Sequence, residues 1–113
     1  MTVAEQTPRI VLRRREAKAN QRLTFHRDHA AVTVNVALNG DGEYQGGRLM
    51  FLQDGEVVCP SRGQGSVVVN DNLVVHGVSA VQAGTRYSLF VFVDADDSTG
   101  ESHGFPFCMP IHP

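Results

Sequence analysis

Two imidazoles and one carboxylate stand where a single metal ion could collect them. His26 and Asp28 lie two residues apart in FHRDHAAVTVNVALN, the stretch from Phe25 to Asn39, so in extended backbone both side chains point to one side. His76 follows in LVVHGV, fifty residues after His26. A His-His-carboxylate set that leaves coordination positions open suits non-haem Fe(II). A His-x-Asp pair alone is far more often the mark of a His-Asp hydrogen bond at a turn. Arg86, ten residues after His76, opens the run RYSLFVFV, in which Arg86, Ser88, Phe90 and Phe92 share one face. A guanidinium on that largely apolar face requires an anion, because its charge is costly to bury unpaired.

The elements that would position these groups are strands. From Ile10 onward the segments are short, rich in Val, Thr, Phe and Leu, and broken by Gly, Asp and Asn at intervals typical of a β-sandwich or barrel. Strands are expected over 9–15, 21–25, 31–38, 48–52, 56–60, 66–69, 73–78 and 86–93. Asp54-Gly55 sits at hairpin spacing between two of them, and Ala83-Gly84 reads as a turn before the last. Alternation separates Val32, Val34, Val36 and Leu38 from Thr33, Asn35 and Ala37. It likewise separates Tyr87, Leu89, Val91 and Val93 from the face that carries Arg86. Residues 1–8 read as a tail, 9–94 as the β core and 95–113 as a second tail of loop character, DADDSTGESHGFPFCMPIHP.

The ordered set His26, Asp28, His76 and Arg86, set within eight β segments, resembles the 2-oxoglutarate and Fe(II)-dependent dioxygenases. The resemblance is nearest to the prolyl and lysyl hydroxylase type, and within that type to the catalytic domain of procollagen lysyl hydroxylases. The motifs that carry it are HRD at 26–28, TVNVALN at 33–39, YQGG at 44–47, PSRGQG at 60–65, His76 and GTRYSLFVFVD at 84–94. The resemblance implies an all-β double-stranded β-helix, a jelly-roll or cupin-like minimal core of about eight strands in two sheets.

It further implies that His26, Asp28 and His76 ligate iron and that Arg86 clamps the distal carboxylate of 2-oxoglutarate. Asn35, Ser88 and Thr33 would be further cosubstrate contacts. The implied reaction consumes O2 and 2-oxoglutarate, releases succinate and CO2, and hydroxylates an unactivated C–H bond of a peptidyl lysine or proline, with ascorbate as an accessory reductant. A protein or peptide substrate is therefore expected. Such relatives usually carry an N-terminal helical region, and almost nothing precedes Arg9. The expectation is thus a truncated or minimal core whose apolar outer sheet face is covered by a second copy or a partner.

Other readings are narrower. Oxidative demethylation of nucleic acid by the same chemistry is an alternative, but it generally goes with a second arginine six residues after the first, where this chain has Phe92. A non-catalytic metal-binding or interaction module of the same fold is another. The formal net charge of −2 over 113 residues gives no basic field for nucleic acid or an anionic membrane. No apolar run approaches the roughly 18 to 20 residues needed to cross a bilayer, and MTVAEQTPRI lacks the apolar core of a secretory signal. A cytoplasmic location is the expectation.

Arg13-Arg14-Arg15 reads as a solvated strand edge, with a substrate-facing or phosphate-facing patch as the alternative. Where the relatives tend to place an aromatic after an arginine in the first strand, this chain has Arg14-Arg15. His29 reads as a solvated loop histidine, and Cys59 as a small, at least half-buried strand residue. Two cysteines are too few for a disulfide framework, and His103, Cys108 and His112 match no strong zinc spacing.

Overall fold

Each alternating segment buries one side and turns the other outward, and the chain satisfies this by stacking two sheets. The computed structural model describes residues 8–18 and 22–94 in full and residues 107–109 as backbone. The strands in chain order are β1 (Arg9–Glu16), β2 (Leu23–His26), β3 (Val32–Ala37), β4 (Tyr44–Gly46), β5 (Leu49–Gln53), β6 (Glu56–Val58), β7 (Val67–Asp71), β8 (Val75–Val78), β9 (Val81–Val93) and β10 (Phe107–Met109). A single 3-10 turn, Asp41–Glu43, precedes β4.

The larger sheet runs β1-β9-β3-β7-β10, with β4 paired to the start of β9, and the smaller runs β2-β8-β5-β6. Every pairing is antiparallel. Most connections cross from one sheet to the other, as at β1–β2, β2–β3, β6–β7, β7–β8 and β8–β9, which is the winding of a double-stranded β-helix. Among the described residues no helix is long and apolar enough to cross a membrane.

The registers confirm the face assignment. Thr33, Asn35 and Ala37 of β3 are buried between the sheets, as are Val68 and Asn70 of β7 and Arg86 and Ser88 of β9. The smaller sheet supplies the apolar half of the interior: Leu49, Phe51, Val74 and Val78 cluster with Val68, and Leu23 packs against them. Phe51 is 2% exposed, and its removal would forfeit about 3 to 5 kcal/mol in transfer and cavity terms. On the outer side of the larger sheet, Ile10 and Leu12 are 66% and 69% exposed.

The structure differs from the sequence expectations in four places. The last strand does not begin after a turn at Ala83-Gly84; β9 runs through it, with Gly84 at φ +77, because β4 pairs with this part of it. Tyr44–Gly46 forms a strand too short to show periodicity. Phe107–Met109, within a segment expected to be loop, adds to β7 as an edge strand. Cys59 lies beyond the end of β6 and is exposed rather than half-buried, because β6 is an edge strand with every side chain open to solvent. Asp54-Gly55 does close the hairpin between β5 and β6, with Asp54 at φ 50. His103 and His112 lie outside the described residues.

One glycine fixes the distance between the strands that carry the histidines. A Cβ built on Gly77 in β8 would lie 2.8 Å from the Leu23 carbonyl oxygen and 3.2 Å from the Phe25 nitrogen, so β2 can approach only because that Cβ is missing. Gly42 has nothing within 4 Å of the same position. Gly77→Ala is expected to lower the free energy of unfolding in urea by about 2 kcal/mol, and Gly42→Ala to change it by under about 0.5 kcal/mol. Equal effects would contradict this packing.

Candidate metal centre

Strand pairing brings the histidines together. His26 ends β2 and stands directly opposite His76 of β8, so both rings project to the interior side of the smaller sheet, their centroids 4.5 Å apart. Asp28, two residues past β2, reaches the same point from the connection to β3. One donor atom from each of the three lies within 4.8 Å of the others.

The hydrogen bonds around these groups decide which atoms face the centre. Each Nδ1 donates to the carbonyl two residues earlier: His26 to Thr24 at 2.7 Å and His76 to Val74 at 3.1 Å. A carbonyl only accepts, so the proton of each neutral ring resides on Nδ1 and the lone pair on Nε2. Both Nε2 atoms face Asp28 Oδ1 at 3.3 Å. Asp28 Oδ2 is turned away and held by the Thr33 hydroxyl at 2.7 Å and the Asn70 amide at 3.2 Å. Three acceptors therefore converge on one point. Such a cluster repels itself unless a cation or a proton sits among its members, and a divalent metal fits this donor set.

The ionisation of the cluster follows the same geometry. Burial would raise the Asp28 carboxyl, but hydrogen bonds from His76, Thr33 and Asn70 outweigh it and hold the group well below the usual carboxylate range. Burial would lower His76, but in its doubly protonated form Nε2–H donates to Asp28, and that bond with the attraction of the charge leaves it raised.

Arg86 lines the same cavity as the triad. It is 3% exposed, and its Nη2 has no hydrogen-bond partner among the described residues. Burial lowers its pKa, the neighbouring Tyr44 hydroxyl works the other way, and Arg13 adds to the lowering. Its stem passes beside the YQGG segment, where a Cβ on Gly47 would come within 3.4 Å of Arg86 Cδ and 2.9 Å of Val81 Cγ2. Glycine there leaves room for the arginine.

The remaining expected site residues have distinct positions. Ser88 is buried one step inward along β9 from Arg86. Thr33 is committed to Asp28. Asn35 lines the cavity, while its side-chain and main-chain oxygens accept from Arg62 at 3.0 and 2.8 Å. His29 is exposed. Asn70 and Arg62 were not anticipated. Extending the 66–69 strand by one residue would have placed Asn70 inward, whereas nothing in PSRGQG distinguishes Arg62 as a buried strut. The run of three arginines alternates: Arg14 faces outward and meets Glu16 at 3.4 Å, while Arg13 and Arg15 line the cavity.

No family model matches the sequence, and no curated protein matches it. Solved structures do. A Burkholderia pseudomallei oxidoreductase described as 2OG-Fe(II) oxygenase family superposes with a TM-score of 0.65 at 23% identity, over 82% of this chain and 45% of that one. A Phytophthora capsici prolyl 4-hydroxylase gives 0.65 at 21%, over 80% and 33%. A non-heme monooxygenase, ThoJ, in a nickel complex gives 0.60 at 18%, over 73% and 41%. The chain thus spans less than half of these neighbours, and shares their fold.

Without metal, the proton on His76 contributes stability below about pH 6.5, the ordinary histidine value, and that contribution is lost as pH rises through the raised folded value. Metal-free protein is therefore expected to lose stability as pH rises above about 6.5, as read by urea unfolding. Asp28→Asn should flatten the loss. A divalent metal such as Zn(II) should bind more tightly as pH rises over the same range, since it competes with that proton. Thr33→Val is expected to weaken metal binding by about 10- to 100-fold, by freeing Oδ2.

Proposed function

We propose that this chain is the catalytic core of a dioxygenase that uses Fe(II), O2 and 2-oxoglutarate to hydroxylate an unactivated C–H bond, in a peptidyl proline or lysine. The observation that carries the reading is the convergence of His26 Nε2, His76 Nε2 and Asp28 Oδ1 in one cavity with the buried guanidinium of Arg86. The structural neighbours, an oxygenase-family oxidoreductase, a prolyl 4-hydroxylase and a non-heme monooxygenase, support it.

The three acceptors would hold the iron, which when bound supplies activation of O2 coupled to oxidative decarboxylation of 2-oxoglutarate to succinate and CO2. The chain's own residues supply the geometry. Thr33 and Asn70 fix the Asp28 carboxylate so that one oxygen faces the centre. The carbonyls of Thr24 and Val74 fix both imidazole tautomers. Arg86 offers a forked pair of donors that suits a carboxylate, from a residue only 3% exposed. Phe90 and Phe92 stack 5.8 Å apart along the same face and wall the cavity with apolar rings.

With Fe(II), ascorbate and 2-oxoglutarate, the protein is expected to form succinate. Asp28→Ala and His76→Ala should abolish turnover, and Arg86→Gln should raise the KM for 2-oxoglutarate by about tenfold or more. Succinate formation no faster than in Asp28→Ala, with prolyl and lysyl peptides supplied, would overturn the reading.

A further inference from the structure

Strand β1 directs an arginine ladder at the reaction cavity. Its inward positions are Arg9, Val11, Arg13 and Arg15, which stand opposite Phe92, Phe90, Ser88 and Arg86 of β9. Arg15 is therefore side by side with Arg86, and Arg13 lies one inward step along toward the phenylalanines. The far end of this row reaches the metal ligands, because Phe92 also faces Thr33, whose hydroxyl holds Asp28.

Among the described residues these guanidiniums have no protein anion to meet. Among the described residues no carboxylate pairs with Arg13, Arg15 or Arg86, and Nε of Arg15 is buried without a hydrogen-bond partner. Arg13 lies over the Phe90 ring, 5.1 Å from its centroid. That contact engages the flat face of the guanidinium and leaves its N–H edges available. Burial lowers the Arg15 pKa, and the proximity of Arg13 and Arg86 lowers it further, so the three charges strain against one another.

Counting charges shows that the cosubstrate does not relieve this. A divalent metal and the doubly negative 2-oxoglutarate cancel. The lining then still holds three guanidiniums against the single carboxylate of Asp28. Arg86 is used by the distal carboxylate in the proposed reaction, and Arg13 and Arg15 are left.

We propose that Arg13 and Arg15 form a second anion subsite, separate from the Arg86 clamp, that receives a carboxylate of the substrate itself. This rests on the dioxygenase reading, removes lysine from its substrates and admits a free amino acid derivative beside a peptide. The row of guanidiniums repels a lysyl ammonium and selects a carboxylate-bearing substrate. The carboxylate is either the acidic side chain of a peptide beside the oxidised residue or the terminal carboxylate of a free amino acid derivative.

The test uses protein loaded with redox-silent Mn(II) and 2-oxoglutarate, titrated calorimetrically with two matched pairs. One is an N-acetylated, C-amidated glutamyl-prolyl-glycine tripeptide against its glutaminyl counterpart; the other is N-acetylproline against its amide. The carboxylate member of one pair is expected to bind about tenfold more tightly than its neutral partner. The responding pair identifies the source of the carboxylate.

In an Arg13→Gln/Arg15→Gln double variant the preference should vanish while 2-oxoglutarate still binds, and Arg13→Lys/Arg15→Lys should restore part of it. Equal affinities within both pairs would overturn the proposal. So would a preference unchanged in the double variant, or a double variant that loses 2-oxoglutarate and keeps the preference. Failure of the wild type to bind Mn(II) and 2-oxoglutarate would instead sink the dioxygenase reading. The charge preference, titrated on the metal-free chain, would still decide the subsite.

Discussion

The Asp28 carboxylate divides its two oxygens between opposite tasks. Oδ2 accepts from Thr33 and Asn70, which belong to neighbouring strands of the larger sheet, and Oδ1 faces two histidine nitrogens carried by the smaller sheet. The carboxylate is thus the polar link between the two layers at this end of the barrel. Its orientation cannot drift, because both sheets would have to move with it. Each histidine is fixed from behind by a carbonyl of its own strand, so the only unsatisfied direction is the one toward the common centre. A site built in this way is ready for a cation before the cation arrives.

The rest of the interior divides along the strands. Val68 and Asn70 are adjacent inward positions of β7, yet one packs with Phe51 and Leu49 and the other bonds Asp28. The polar half survives burial because most of its groups are engaged in hydrogen bonds or turned into the cavity. Arg62 illustrates the first case: it is 4% exposed, yet its guanidinium bonds Asn35 and the Ser66 carbonyl. It thereby ties the loop between β6 and β7 to the centre of β3. Arg86 illustrates the second, with a buried donor left facing the space where an anion would lie.

Much of this was legible in the sequence, for definite reasons. A period of two fixes which side of a strand each residue takes, so the inward set Thr33, Asn35, Arg86 and Ser88 could be read from alternation. The His-x-Asp spacing, the later histidine and the arginine ten residues on indicated the cluster. Periodicity does not say which strands will be neighbours, and that is where the reading stopped. Thr33 was read as a cosubstrate contact; the hydrogen bond of its hydroxyl to Asp28, made where the chain turns back between them, was not legible from alternation. The arginine run suggested a solvated edge; only the pairing of β1 with β9 shows that two of the three face the cavity. Three-residue strands such as β4 and β10 are too short to carry a pattern.

The most direct test of the account is a calorimetric titration of 2-oxoglutarate into the protein with and without Mn(II). If His26, Asp28 and His76 hold a metal that completes the cosubstrate site with Arg86, binding will show one site per chain with metal present and will be lost when the metal is removed. Equal binding in both conditions, or none in either, would contradict it.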